Sequence, residues 1–264
     1  MSRPAGRSRL ARQWQWGCLA ISFLTRLPVR IRGDVTPQAL GRCHRWFSLV
    51  GALIGLGLAL VYWGIEPFVS APIAVFMTLG LSLWLTGALH EDGLADCMDG
   101  LGGGHSVAQR LAIMKDSQVG SYGVLALIVS LVGRWLLLSA LAQQDTMLVM
   151  TALIASHSLS RGLAAVMMGV LPYLRADGNS KVYALTGHQR ASDRGWLVGV
   201  ALLVAVLTAD MVSAMVLLGM TALSGLVLHR WLNRQLGGVT GDALGAVQQI
   251  TELLLYLVFV VIHA

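Results

Sequence analysis

The chain alternates between long apolar stretches and short segments rich in arginine, glycine and aspartate. A helix that crosses a bilayer needs roughly 20 consecutive apolar residues. Five stretches are close to that length, and the stretch 196–229 is long enough for two helices, which we divide at Asp210. The seven predicted spans are 47–66, 71–89, 122–142, 147–171, 196–209, 211–229 and 244–262. The pattern therefore predicts an all-α fold, a polytopic transmembrane helix bundle.

Composition agrees with a membrane protein. Of the 264 residues, 56% are hydrophobic and only 12% are charged, whereas soluble domains usually carry about 25% charged residues. No repeat of fixed period and no low-complexity linker interrupts the chain, so we expect one integral membrane domain over residues 1–264. The three cysteines are widely spaced and do not form the pattern of a disulfide framework or a zinc site.

Lysine and arginine lie almost entirely on one predicted side of the membrane. Of the 19 such residues, 17 fall before the first span or in the loops 90–121, 172–195 and 230–243. Cytoplasmic loops accumulate these residues, so we predict that the N-terminus lies on the cytoplasmic side. If 196–229 were a single span, the loop 230–243 with its two arginines would lie on the opposite side of the membrane from the other arginine-rich segments. The same flanking arginines explain the net charge of +6, so we do not expect nucleic acid as a partner.

The N-terminal segment combines arginines with an apolar stretch, Trp14 to Leu24, of about ten residues. That length is too short to cross the bilayer. We predict an amphipathic helix that lies on the cytoplasmic leaflet.

The segment from His90 to Gly100 carries the most informative pattern. Asp92, Asp96 and Asp99 are spaced i, i+4, i+7, which places three carboxylates on one face of a helix. Like charges repel, and converging oxygen ligands suit Mg²⁺ or Mn²⁺ bound between carboxylates and substrate phosphates. The alternative is a solvated acidic patch. We favour the metal because four acidic residues fall within nine positions beside the membrane.

Further polar residues border this segment. His90 is a candidate base if the helix begins at Asp92, and a structural role is the alternative. Before the next span, Asp116 offers a carboxylate and Ser117 a hydroxyl, although Ser117 also suits a helix N-cap. Asp242 precedes the last span at the same predicted depth, and we expect it to complete the metal site.

Charged residues also occur inside the predicted spans. Arginine binds phosphate through two parallel hydrogen bonds, so Arg134 and Arg161 are candidates for a diphosphate clamp. The alternative is a buried ion pair, for instance Arg161 with Glu252. Sequence alone does not separate the two.

The motif His90-x-Asp92-Gly93-Leu94-Ala95-Asp96-x-x-Asp99-Gly100 resembles the signature of the cobalamin synthase family, the adenosylcobinamide-GDP ribazoletransferases. The resemblance continues, in order, through most of the chain. It includes Thr25-Arg26-Leu27-Pro28, Met114-Lys115-Asp116-Ser117-x-Val119-Gly120-x-x-Gly123, Gly238-x-Thr240-Gly241-Asp242-x-Leu244-Gly245-Ala246, and Glu252. Gln118 departs from the family, which often has arginine there.

The resemblance implies a magnesium-dependent reaction of adenosylcobinamide-GDP with α-ribazole or its 5′-phosphate. The ribose 3′-hydroxyl attacks the phosphorus attached to cobinamide, and GMP leaves. The implied catalytic residues are Asp92, Asp96, Asp99, Asp116 and His90. The implied substrate-binding residues are Arg26, Lys115, Ser117, Arg134, Arg161 and Glu252. The implied metal ligands are Asp92, Asp96, Asp99 and Asp242.

Two other functions remain open at this stage. A CDP-alcohol phosphotransferase also uses clustered aspartates, but its pattern is Asp-Gly-x-x-Ala-Arg. Here Asp96 follows Asp92-Gly93-Leu94-Ala95, and no arginine comes directly after it. A divalent-cation transporter would be expected to hold its carboxylates at the middle of the bilayer, where only Glu252 lies. A homo-oligomer or a complex with other cobamide-assembly enzymes also stays open.

Overall fold

The computed structural model describes residues 8–174 and 189–264, which are almost entirely helical. Within these two ranges no β-strand forms, and the one β-bridge joins Tyr173 to Val239. In chain order, the helices are α1 Arg9–Leu24, α2 Pro37–Cys43, α3 Phe47–Ile65, α4 Ala71–Thr86, α5 Leu89–Gly103, α6 Val107–Ile113, α7 Ser121–Ala142, α8 Thr146–Met167, α9 Ala191–Thr208, α10 Met211–Leu236 and α11 Gly241–Ile262.

The predicted helix bundle is confirmed. In the described part of the chain, six helical segments are long and apolar enough to cross a membrane, and α4 together with α5 makes a seventh candidate. The six are Pro37–Phe68, Ser121–Ala142, Thr146–Met167, Ala191–Thr208, Met211–Leu236 and Gly241–Ile262. Helix α1 is not among them, and its Leu10 and Trp14 are exposed. Several apolar helices therefore make this a multi-pass membrane protein.

The division of the stretch 196–229 falls where the sequence predicted it. Asp210 is the N-cap of α10, and its carboxylate accepts hydrogen bonds from the backbone of Val212 and Ser213 and from the Ser213 hydroxyl. These hydrogen bonds hold the pKa of Asp210 below its usual value. A carboxylate at this position stabilises the start of a helix because the first amides of a helix lack intrahelical partners.

Close contact between α3 and α8 depends on two glycines. A Cβ atom added at Gly51 would collide with the backbone carbonyl of His157, and one added at Gly55 would collide with Leu153. Gly57, two residues after Gly55 and therefore on another face of α3, has open space around it. Small residues let membrane helices approach closely, and here that explanation applies to Gly51 and Gly55 but not to Gly57.

Gly51→Leu is therefore expected to destabilise the bundle, by about 1–3 kcal/mol, because the new side chain must push α8 away from α3. The unfolding midpoint of the protein in detergent measures this effect. Gly57→Leu is the matched control and is expected to leave the midpoint unchanged. Equal midpoints for the two variants would contradict the assigned packing.

A sharp elbow separates α4 from α5. The two helices are bent by 85°, and the residues between them, Gly87 and Ala88, both have left-handed φ angles of 66° and 54°. Glycine adopts this conformation freely, whereas an L-residue such as Ala88 costs roughly 1–2 kcal/mol. The predicted span 71–89 thus ends at Thr86, and α5 turns away to pack against α11 and α7.

A second glycine contact fixes the position of α5. A Cβ atom on Gly93 would lie 3.0 Å from the carbonyl oxygen of Asp242 and 3.2 Å from the Cα of Gly245. The acidic segment of α5 therefore rests directly on the first turn of α11. The two predicted acidic motifs meet at one end of the bundle.

Candidate active site

The three aspartates of α5 lie on a continuous helix, as predicted, but in different surroundings. Asp92 is exposed, Asp96 is half-buried and Asp99 is buried. The helix begins at Leu89 and continues to Gly103, so the three side chains follow one face from solvent into the protein. Only the outer part of that face adjoins an open pocket.

A pocket of about 170 Å³ lies beside Asp92. It is lined by polar residues from three helices: His90 and Asp92 of α5, Arg161 of α8 and Asp242 of α11. The carboxylates of Asp96 and Asp242 are both close enough to the buried thiol of Cys97 to act on it electrostatically. Carboxylates from α5 and α11 thus gather at one junction, as the sequence predicted for Asp242.

Asp99 has a different environment. One of its carboxylate oxygens accepts a hydrogen bond of 2.7 Å from the backbone N–H of Gly120, and the other accepts one of 2.8 Å from that of Gly123. Both amides belong to the first turn of α7, where a negative charge is favourable. Asp99 therefore ties α5 to α7, and its oxygens face this helix end.

The predicted set of three converging aspartates does not form. Among the residues that the structure describes, no three His, Cys, Asp or Glu side chains are close enough to hold a metal ion. The helical spacing of Asp99 was predicted correctly, but the hydrogen bonds from the start of α7 to both of its oxygens were not.

We expect Asp99→Asn to lower the stability of the protein, because an amide has one acceptor oxygen where the carboxylate offers two. The loss should be about 1.5–3 kcal/mol, the range for a hydrogen bond to a charged group. Thermal unfolding in detergent measures it. Wild-type stability combined with a weakened response of activity to Mg²⁺ would instead indicate that Asp99 is a metal ligand.

The loop before α7 does not reach the pocket wall. Lys115, Asp116 and Ser117 are exposed, and the Asp116 carboxylate accepts a hydrogen bond from the Gln118 backbone. The N-cap of α7 is Gly120, so the alternative assignment of Ser117 as the cap is wrong. Asp99 occupies the position where a capping side chain would act.

The charged residues inside the bundle form a buried network around Glu252. Arg134 donates to Glu252 at 3.3 Å and to Glu91 at 3.0 Å, while Arg161 donates to the other Glu252 oxygen at 3.2 Å. Gln248 also donates to Glu252, at 2.5 Å. Buried charges are stable only when paired in this way. The network joins α5, α7, α8 and α11.

This network settles where the two arginines lie. Arg134 is 2% exposed and Glu252 is 1% exposed, and neither lines the pocket. For Arg134 and Glu252, the structure therefore favours a buried ion pair over contact with a substrate phosphate. Arg161 takes part in the network and also lines the pocket, and its Nε has no hydrogen-bond partner. Of the predicted clamp, only Arg161 lines the pocket.

Some residues of the network were missed at the level of sequence. Glu91, Gln248 and Gln249 are buried, and Gln249 donates to Glu91 at 3.1 Å. Two adjacent glutamines one turn before Glu252 are unusual in an otherwise apolar span. That pattern was the available signal for a buried polar layer.

His90 and Arg26 lie at the edges of the site. His90 was a candidate base on the condition that α5 begins at Asp92, and this condition is not met because α5 begins at Leu89. His90 is nevertheless buried, lines the pocket and has no hydrogen-bond partner at Nδ1. The Arg26 side chain lies against Gly87, and its backbone N–H donates to Leu85. Arg26 thus supports the elbow and does not line the pocket.

The fold and the site define a class: a multi-pass membrane protein with a carboxylate-lined pocket at one end of its helix bundle. Comparison with known sequences is more specific. The profile of the Cobalamin-5-phosphate synthase family matches residues 17–260, and the chain belongs to this family.

Curated relatives carry the name Adenosylcobinamide-GDP ribazoletransferase. The protein from Shewanella piezotolerans is 42% identical over 246 residues, which cover 93% of this chain and 95% of the relative. Those from Shewanella amazonensis and Shewanella frigidimarina are 39% and 40% identical, and each alignment covers at least 97% of both chains. No solved structure matches the chain.

Proposed function

We propose that this enzyme transfers the cobinamide phosphate of adenosylcobinamide-GDP to α-ribazole or α-ribazole 5′-phosphate, releasing GMP. The family and the names of the relatives support this activity. In this reaction the ribose 3′-hydroxyl forms a new bond to phosphorus. The diphosphate bond breaks, and GMP leaves with its electron pair.

The observation that carries the proposal is the meeting of Asp92, Asp242 and Arg161 around one pocket. Cleaving a diphosphate with a hydroxyl nucleophile requires positioning and stabilisation of the charge that develops on the phosphate oxygens. Arg161 lines the pocket from α8, and its positive charge favours a phosphate there. His90 borders the same pocket, and we assign it as acceptor of the hydroxyl proton in preference to the exposed Asp116.

The donor set also fits magnesium. Proteins usually hold Mg²⁺ through one or two carboxylates, with substrate phosphates and water completing the shell. Asp92 and Asp242 offer two such carboxylates from different helices. A bound Mg²⁺ would neutralise the diphosphate charge.

We place the pocket on the cytoplasmic side of the inner membrane, where nucleotide-activated substrates occur. The distribution of lysine and arginine supports this orientation. The helix ends that carry the acidic motifs all belong to that side in the predicted topology.

A product assay with purified protein in liposomes tests the proposal. Adenosylcobinamide-GDP and labelled α-ribazole should give labelled cobalamin and one GMP per cobalamin. Parallel liposomes loaded with a divalent-cation indicator should show no flux. Cation flux without product would favour the transporter alternative, and transfer to a diacylglycerol acceptor from a CDP-alcohol donor would favour the phosphotransferase alternative.

A further inference from the structure

Much of the pocket wall is apolar, although the proposed chemistry concerns phosphates. Beside the polar residues, the lining includes Phe23 and Leu24 of α1, Phe47 of α3, Leu89 of α5, Ala164 of α8 and Met168 at the C-terminal end of α8. Binding a diphosphate requires none of these side chains. The apolar wall therefore requires a second explanation.

Two of the wall residues are aromatic, and the partly exposed ring of Phe23 is backed by the buried ring of Phe47. The rings of Phe23 and Phe47 are stacked with their centroids 5.5 Å apart and their planes inclined by 18°. Phe47 is only 2% exposed, so its ring is held in place by its surroundings. A flat, apolar and rigid surface suits a planar aromatic ligand group.

The size of the pocket limits what it holds. Pockets for complete small ligands are usually about 300–1,000 Å³, whereas this one is about 170 Å³. It has room for one aromatic base and the reacting groups, and the corrin ring must lie outside it. The aromatic base is then either the guanine of the donor or the benzimidazole of α-ribazole.

The chemistry of the wall separates these two bases. Guanine carries a carbonyl, an amino group and a ring N–H on its edges, and a buried polar group without a partner is unfavourable. Benzimidazole has few polar atoms and two apolar methyl groups in α-ribazole. We infer that Phe23, Phe47 and Met168 form a subsite for the benzimidazole base of the acceptor nucleoside.

This inference rests on the proposed function and makes it more specific. A base seated on the aromatic wall brings the attached ribose into the pocket that Asp92, His90 and Asp242 also line. The acceptor hydroxyl and the carboxylates are then held in one enclosure by residues of the same chain. The choice of the base in the acceptor nucleoside then depends on residues of α1, α3 and α8.

Steady-state kinetics of Phe23→Leu test the subsite. Phe23 is partly exposed, so the protein should tolerate the change. The KM for α-ribazole is expected to rise about tenfold, because an aromatic contact is lost, while the KM for adenosylcobinamide-GDP stays unchanged. Phe259→Leu is the matched control, since Phe259 is a buried aromatic residue of α11 outside the pocket. It should change neither KM.

Two results would overturn the subsite: an unchanged KM for α-ribazole, or an equal rise in both KM values. Equilibrium dialysis of labelled α-ribazole against the detergent-solubilised protein tests binding without turnover. Phe23→Leu should weaken that binding by a similar factor, and equal binding by wild type and variant would also overturn the inference. Wild-type protein that binds α-ribazole through Phe23 but forms no product would instead disprove the proposed reaction.

Discussion

Asp92→Asn is expected to reduce GMP release by about 10²–10³-fold or more while the protein remains folded. The carboxylate lines the pocket from the exposed end of α5, where it is proposed to act on the diphosphate. Removing a group that stabilises transition-state charge has effects of this size. The measurement is GMP release by purified protein in liposomes under saturating substrates.

The folded state of this variant can be predicted separately. Asp92 and Asp96 are one helical turn apart, and like charges at this spacing repel, so Asp92→Asn should not lower the unfolding midpoint. Asp34→Asn is the control, because Asp34 is exposed in the segment between α1 and α2. Its activity should equal that of wild type. Undiminished GMP release by Asp92→Asn would disprove its assigned role.

Glu252→Gln is expected to destabilise the bundle by about 3–5 kcal/mol, the cost of leaving a buried ion pair without one partner. Arg134 and Arg161 both pair with Glu252, and all three side chains are nearly inaccessible to solvent. For a protein of this size the unfolding midpoint in detergent should fall by roughly 10 °C.

A double mutant makes this prediction more specific. Replacing Arg134 by methionine in the Glu252→Gln protein removes one of the two cations that pair with Glu252 in the wild type. Glu91, the other partner of Arg134, keeps its hydrogen bond from Gln249. The two losses should then sum to more than the loss of the double mutant, since contacting residues are not additive. Strict additivity, or a wild-type midpoint for Glu252→Gln, would contradict the network.

Hydropathy predicted most of the fold, because the bilayer imposes the length of the apolar helices. Even the division at Asp210 followed from a single acidic residue in an apolar stretch, and that residue caps α10. The elbow after Thr86 was not predictable. The elbow depends on the left-handed backbone conformation of Ala88, which alanine adopts only when tertiary contacts enforce it.

The site was predicted in part. The helical spacing of the aspartates and the proximity of Asp242 followed from local pattern and depth. The role of Asp99 did not, because it depends on where the start of α7 lies relative to α5. Arg134 and Arg161 looked equivalent in sequence. Their different positions follow from the helix faces they occupy, which only the packed bundle defines.

A magnesium titration of GMP release, comparing wild type with Asp242→Asn in liposomes, most directly tests the claim that carboxylates of α5 and α11 together hold the metal–diphosphate. The account predicts no release by wild type in excess chelator, and at least a tenfold higher Mg²⁺ requirement for Asp242→Asn. Release in excess chelator, or superimposable titrations for the two proteins, would contradict it.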